Sequence, residues 1–128
     1  MAKRVLVIDD EAVIHTIVAA FLEPAGFQVL AAERGKAGLA LASAQPPDLV
    51  LLDLMMPEMD GYAVCRALRQ RPETRQVPVI MMTSSDDPAL TRSAYDAGVQ
   101  VCVPKPFRRE ALLAAIQAVE AWRPGTPS

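Results

Sequence analysis

Five short apolar runs, each followed by a longer segment of helical periodicity, constrain this 128-residue chain more than any other feature. The first run, residues 4–8, reads Arg-Val-Leu-Val-Ile. It lacks the polar alternation of a half-solvated strand, so both its faces are expected to be covered. Runs of the same kind occupy 27–31, 48–53, 77–82 and 99–103. Between them, residues 11–23 carry Val13, Ile14, Ile17, Val18, Phe21 and Leu22 on a helical stripe. Pro24 and Gly26 end that helix. Residues 36–44 form an alanine-rich helix bearing Leu39 and stopped by Pro46 and Pro47; residues 61–71 carry Val64, Cys65 and Leu68. A fourth helix starts at Pro88, with Asp86 or Asp87 as N-cap, and ends at Gly98. The last spans 108–122, with Leu112, Ile116 and Val119 on one face. Doubly covered strands joined by helices form a parallel sheet. The expectation is one α/β domain over 1–123, followed by a short Pro/Gly/Ser tail at 124–128.

Composition removes several classes of function. An apolar fraction of 52% with a net charge of −2 is incompatible with disorder and gives no bulk attraction to nucleic acid. Two distant cysteines, Cys65 and Cys102, make no disulfide framework, and a single histidine, His15, makes no zinc site. The apolar run after Lys3 and Arg4 is too short for a secretory signal or a membrane span. A cytoplasmic protein with no membrane contact and no direct nucleic-acid binding is expected.

In open α/β sheets, ligands bind beyond the carboxyl ends of the strands. Those ends carry Asp9 and Asp10 after the first strand, Asp53 on the third, Thr83 to Ser85 after the fourth, and Pro104-Lys105-Pro106 after the fifth. With strand order 2-1-3-4-5 the first and third strands are neighbours, so three carboxylates meet. They repel one another unless a cation sits among them. Hard oxygen ligands without sulfur or imidazole suit Mg²⁺ or Mn²⁺. Lys105, one of three lysines beside ten arginines, adds a compact positive charge at the same rim. A metal, a lysine and a hydroxyl around a carboxylate nucleophile make a site for phosphoryl transfer.

The run Asp9-Asp10-Glu11, the segment from Asp48 through Asp53, Pro57 and Asp60 to Gly61, Thr83, and Lys105-Pro106-Phe107 together resemble the receiver domain of bacterial response regulators. The resemblance covers about residues 3 to 122. It implies a flavodoxin-like (βα)5 fold, a five-stranded parallel sheet in order 2-1-3-4-5 with helices on both faces. It implies a phosphoacceptor at Asp53, charged from a phosphohistidine on a sensor histidine kinase or a phosphotransfer protein. Such a chain is not an enzyme in the ordinary sense; it assists its own phosphorylation and dephosphorylation. By the same resemblance Asp10 and Asp53 ligate Mg²⁺ directly, Asp9 acts mainly through water, and the backbone carbonyl of Met55 completes the protein ligands. Thr83 matches the switch hydroxyl and Lys105 the lysine that pairs with the phosphoryl group. Lys105–Pro106 is the expected cis peptide. The kinase is expected over the first helix near Ile14 and Ile17, and an unknown output partner on the fourth-helix, fifth-strand, fifth-helix face.

Two positions depart from the family pattern. Cys102 stands where the family has its signalling aromatic, three residues before the lysine, and Ser84 follows the switch hydroxyl. Other residues have plainer readings. Asp60-Gly61 reads as a turn and helix cap, Met55, Met56 and Met59 as loop packing, and His15 as a solvated helix residue. Arg108 and Arg109 read as a solvated first turn, and the two cysteines as reduced and inert. A binding scaffold that is never phosphorylated has no need of three mutually repelling carboxylates. A flavin carrier needs a phosphate-cradling loop after the first strand, where Asp9-Asp10-Glu11 would repel phosphate. A metal phosphohydrolase would lack a general base beyond the carboxylates.

Overall fold

The computed structural model of the protein describes residues 3–120. Five strands and five helices alternate: β1 (Arg4–Ile8), α1 (Ala12–Leu22), β2 (Gln28–Ala32), α2 (Gly35–Ala44), β3 (Leu49–Asp53), α3 (Gly61–Gln70), β4 (Val79–Thr83), α4 (Pro88–Ala97), β5 (Val101–Pro104) and α5 (Arg109–Glu120). All pairings are parallel, in the order β2-β1-β3-β4-β5. The expected helix end at Trp122 and the tail at 124–128 lie outside the described residues. Among the described residues, no helix is long and apolar enough to cross a membrane.

Strand parity divides the core into two layers. Leu6, Ile8, Val50, Leu52, Val79 and Met81 pack with Leu39, Val64, Leu68 and Ala94, so α2, α3 and α4 cover one face. Val5, Val7, Leu49, Leu51, Ile80 and Met82 pack with Ile14, Val18, Leu112 and Ile116, so α1 and α5 cover the other. Period-2 strands sandwiched between period-3.6 helices explain why the interiors of β1, β3 and β4 are apolar on both faces, with Arg4, Asp53 and Thr83 only at strand ends.

Several boundaries differ from the periodicity. Strand β4 begins at Val79 rather than 77, because the Val77 amide closes a turn on the Thr74 carbonyl and Pro78 has no amide to donate. Strand β5 begins at Val101 rather than 99, because the Val99 amide is taken by the Ala94 carbonyl at the end of α4. It runs to Pro104, which an edge strand tolerates. Strand β2 starts at Gln28, since the Phe27 amide bonds the Leu22 carbonyl. On α1 the buried stripe is Ile14, Val18 and Leu22; Val13 is 58% exposed and does not join it. Asp87, not Asp86, caps α4, accepting from the Ala89 amide at 3.0 Å.

One glycine sets the height of the site. A Cβ at Gly61 would lie 2.6 Å from the Asp53 carbonyl oxygen and 2.9 Å from Leu54 Cα. Only hydrogen at that position lets the start of α3 close on the end of β3. The Gly61 amide donates to the Leu54 carbonyl, and the Asp60 side chain caps the helix by accepting from Ala63 at 2.9 Å.

Candidate functional site

The strand register delivers the chemistry to one edge. Ile8 sits opposite Leu52, Asp53 opposite Met82, and Thr83 opposite Pro104. Asp9, Asp53, Thr83 and Lys105 therefore all project from the carboxyl ends of adjacent strands. Carboxylate oxygens of Asp9, Asp10 and Asp53 lie within 4.8 Å of one another. Asp9 and Asp53 are buried and Asp10 is exposed.

Lys105 reaches into this cluster. Its Nζ lies 2.7 Å from Asp9 Oδ2, 3.2 Å from Asp53 Oδ1 and 3.3 Å from Glu11 Oε1. Its peptide bond to Pro106 is cis, and its amide donates to the Thr83 carbonyl at 2.8 Å. Burial alone would lower the lysine's pKa; hydrogen bonding to Asp9 and the charges of Asp53 and Asp9 outweigh it and raise it, so the ammonium is fixed. Asp53 is pushed up to about 6, first by burial and then by the Asp9 charge, with Lys105 acting in the opposite direction. The balance is short of positive charge: one ammonium faces four acidic side chains, Asp9, Asp10, Glu11 and Asp53. Oxygen-only donors with excess negative charge fit a hard divalent cation.

A cavity of about 410 Å³ opens over Asp53 and Lys105, bordered by Glu11, Ile14, Met55, Ser84 and Pro106. Met55 is 72% exposed at its rim, so it does not pack the loop as expected, whereas Met56 and Met59 do sit against the core. Thr83 is buried, and its Oγ1 accepts from the Ser85 amide at 3.1 Å. It borders a second cavity of about 240 Å³ together with Thr91, Tyr95 and Cys102. Both cysteines are unpaired, and burial pushes both thiols up, so neither is poised as a thiolate.

Two neighbours of the site make contacts that the sequence does not assign to them. Glu11 contributes a third carboxylate to Lys105; its only signal was its place directly after Asp10. His15, expected in solvent, is half-buried, with Nε2 2.7 Å from the Asp9 carbonyl oxygen. No sequence periodicity links a helix residue to a carbonyl six positions earlier.

The model of the response regulator receiver domain family matches residues 5–117. The chain belongs to that family. It is therefore a response-regulator receiver of two-component signalling, a signalling domain rather than an ordinary enzyme, with an acidic pocket consistent with a phosphoacceptor aspartate and a Mg²⁺ site. The receiver is 40% identical over 116 residues to the DNA-binding dual master transcriptional regulator RpaA of Synechocystis, covering 91% of this chain and 48% of that protein. It thus spans about half the length of this relative. Among solved structures it resembles the chemotaxis protein CheY4 of Vibrio cholerae, with a TM-score of 0.89 at 30% identity, covering 93% of this chain and 99% of that one. It also resembles the receiver domain of the sensor histidine kinase PA1611 from Pseudomonas aeruginosa, with a TM-score of 0.84 at 28% identity, covering 92% and 97%. In that structure a magnesium ion is coordinated in the active-site cleft.

Proposed function

We propose that this receiver accepts a phosphoryl group on Asp53 from a phosphohistidine of a sensor histidine kinase or phosphotransfer protein, in the cytoplasm. The observation that carries this is the meeting of three carboxylates within 4.8 Å, two of them paired to one lysine. An Asp53 carboxylate oxygen attacks phosphorus, the P–N bond of the donor breaks, and the imidazole keeps the electron pair and takes up a proton. The product is an acyl phosphate on Asp53. Bound Mg²⁺ would supply neutralisation of the phosphoryl oxygens.

The residues that fit such an ion are Asp10, Asp53 and the backbone carbonyl of Met55, with Asp9 acting mainly through water. Lys105, held by Asp9 and Asp53, is placed to pair with a phosphoryl oxygen. The Thr83 hydroxyl, now satisfied by Ser85, offers a proton to another. The same set assists hydrolysis of the acyl phosphate. The kinase docks over α1 near Ile14 and Ile17, beside the mouth of the cavity, and an output partner reads the face of α4, β5 and α5. Asp53→Asn is expected to abolish labelling by a small phosphodonor while the fold survives; equal labelling of the variant overturns the assignment. Asp10→Ala is expected to lose most of the Mg²⁺ affinity measured by calorimetry, and undiminished affinity refutes the ligand set.

A further inference from the structure

We propose that His15 is a positioning residue for the acidic site: its Nε2–H pins the Asp9 carbonyl and so sets the direction in which Asp10 presents its carboxylate to a divalent cation. The inference rests on the metal-binding reading above and deepens it.

The ladder of β1 ends at Ile8, so the Asp9 carbonyl lies past the last strand pairing. His15 Nε2 meets it at 2.7 Å. A carbonyl oxygen only accepts, so Nε2 carries the proton. Nδ1 is buried without a partner among the described residues. A buried unpaired nitrogen costs free energy that an aliphatic side chain would not. The one thing imidazole supplies at this position is therefore the bond to Asp9.

That bond completes the hold on Asp9. Its amide donates to the Ala32 carbonyl at 3.1 Å, its Oδ1 accepts from the Glu11 amide at 2.9 Å, and its Oδ2 pairs with Lys105 at 2.7 Å. Asp10 is exposed, so its direction is set by backbone rather than by packing. The Asp9 carbonyl and the Asp10 amide share one rigid peptide plane. Fixing the carbonyl fixes where the Asp10 Cα departs. His15 thus stands behind the acids as hydrogen-bonded neighbours stand behind metal ligands elsewhere.

The test is a calorimetric titration of the whole chain with MgCl₂, for wild type, His15→Leu, His15→Asn and His15→Gln. A glutamine amide reaches about as far as Nε2; an asparagine amide stops short. His15→Leu and His15→Asn are expected to weaken Mg²⁺ binding about tenfold, while His15→Gln retains most of the affinity. A purely structural role would lower the melting temperature in EDTA without this rescue pattern. Wild-type affinity in both His15→Leu and His15→Asn overturns the inference alone, as does a His15→Gln as weak as His15→Leu. Failure of the wild type itself to bind Mg²⁺ overturns both this inference and the metal-binding reading beneath it.

Discussion

Replacing Asp53 by asparagine should make the metal-free protein more stable at neutral pH. The side chain is only 7% exposed, and its pKa is pushed from 3.8 to about 6. Between those values the unfolded chain has released the proton while the folded chain retains it. More protons bound in the folded state means that stability falls as pH rises through this window and levels off above it. At about 1.4 kcal/mol per pKa unit, the ionised carboxylate costs the fold about 3 kcal/mol at pH 7.5. Asparagine keeps the shape and carries no charge. Urea denaturation in EDTA should show Asp53→Asn gaining up to about 3 kcal/mol at pH 7.5 and little at pH 4, where wild type is largely relieved of the charge. For a domain of this size, 1 kcal/mol corresponds to roughly 3–5 °C in melting temperature. Mg²⁺ should narrow the gap, because the wild type gains a bound ion and the variant loses a ligand. A variant less stable than wild type at pH 7.5 in EDTA, or a gain equal at both pH values, would refute the reasoning.

Lys105→Met should destabilise the metal-free protein by about 3 kcal/mol at pH 7.5, since it strands the buried Asp9 and Asp53 without their cation; denaturant titration checks this, and the loss should shrink when Mg²⁺ is added. Gly61→Ala should cost about 2 kcal/mol, because the new methyl group lands 2.6 Å from the Asp53 carbonyl; thermal melting tests it, and Asp53 labelling should slow because the acceptor strand end is displaced. On binding a phosphoryl mimic, Thr83 and the 84–88 loop should move while β5 changes little, since Cys102 has no ring to sweep from solvent into the neighbouring cavity. Structures with and without the mimic decide this, and a large Cys102 rotation coupled to displacement of β5 would count against it.

The architecture was legible because its signals are local and redundant. Each strand has an apolar interior with any polar residue at its end, most helices are punctuated by Pro, Gly or Asp, and the parallel sheet follows from their alternation. Asp9, Asp53, Thr83 and Lys105 were legible for a different reason: all lie at strand carboxyl ends, so strand order alone brings them together. What stayed hidden depends on side-chain reach across the fold. Val13 carries the right residue type for the α1 stripe, yet it falls on the solvent side because Ile14, Val18 and Leu22 take the sheet. His15 looked solvated by the same periodicity, but the turn between β1 and α1 folds the Asp9 carbonyl back onto its ring. The starts of β4 and β5 are not visible in the sequence because Val77 and Val99 are strand-like residues whose amides are committed to turns.

The charge imbalance that weakens the fold is also what suits Asp53 to its proposed task. A carboxylate at an ordinary pKa is a poor nucleophile; burial beside Asp9 raises its basicity, and nucleophilicity rises with basicity. Burial without compensation would go too far and leave the group protonated and inert at neutral pH. Lys105 sets the limit. By pairing with both Asp9 and Asp53 it offsets part of the repulsion and, in the metal-free protein, holds Asp53 near 6, low enough to remain ionised at pH 7.5. The same ammonium is positioned for the anion that arrives on phosphorylation. Glu11 draws on it as well, at 3.3 Å and from a side chain 58% exposed, an arrangement weak enough to yield when a more highly charged partner appears. Stability and reactivity are thus opposed at one atom group, and the placement of a single lysine between buried and exposed acids determines where the balance falls.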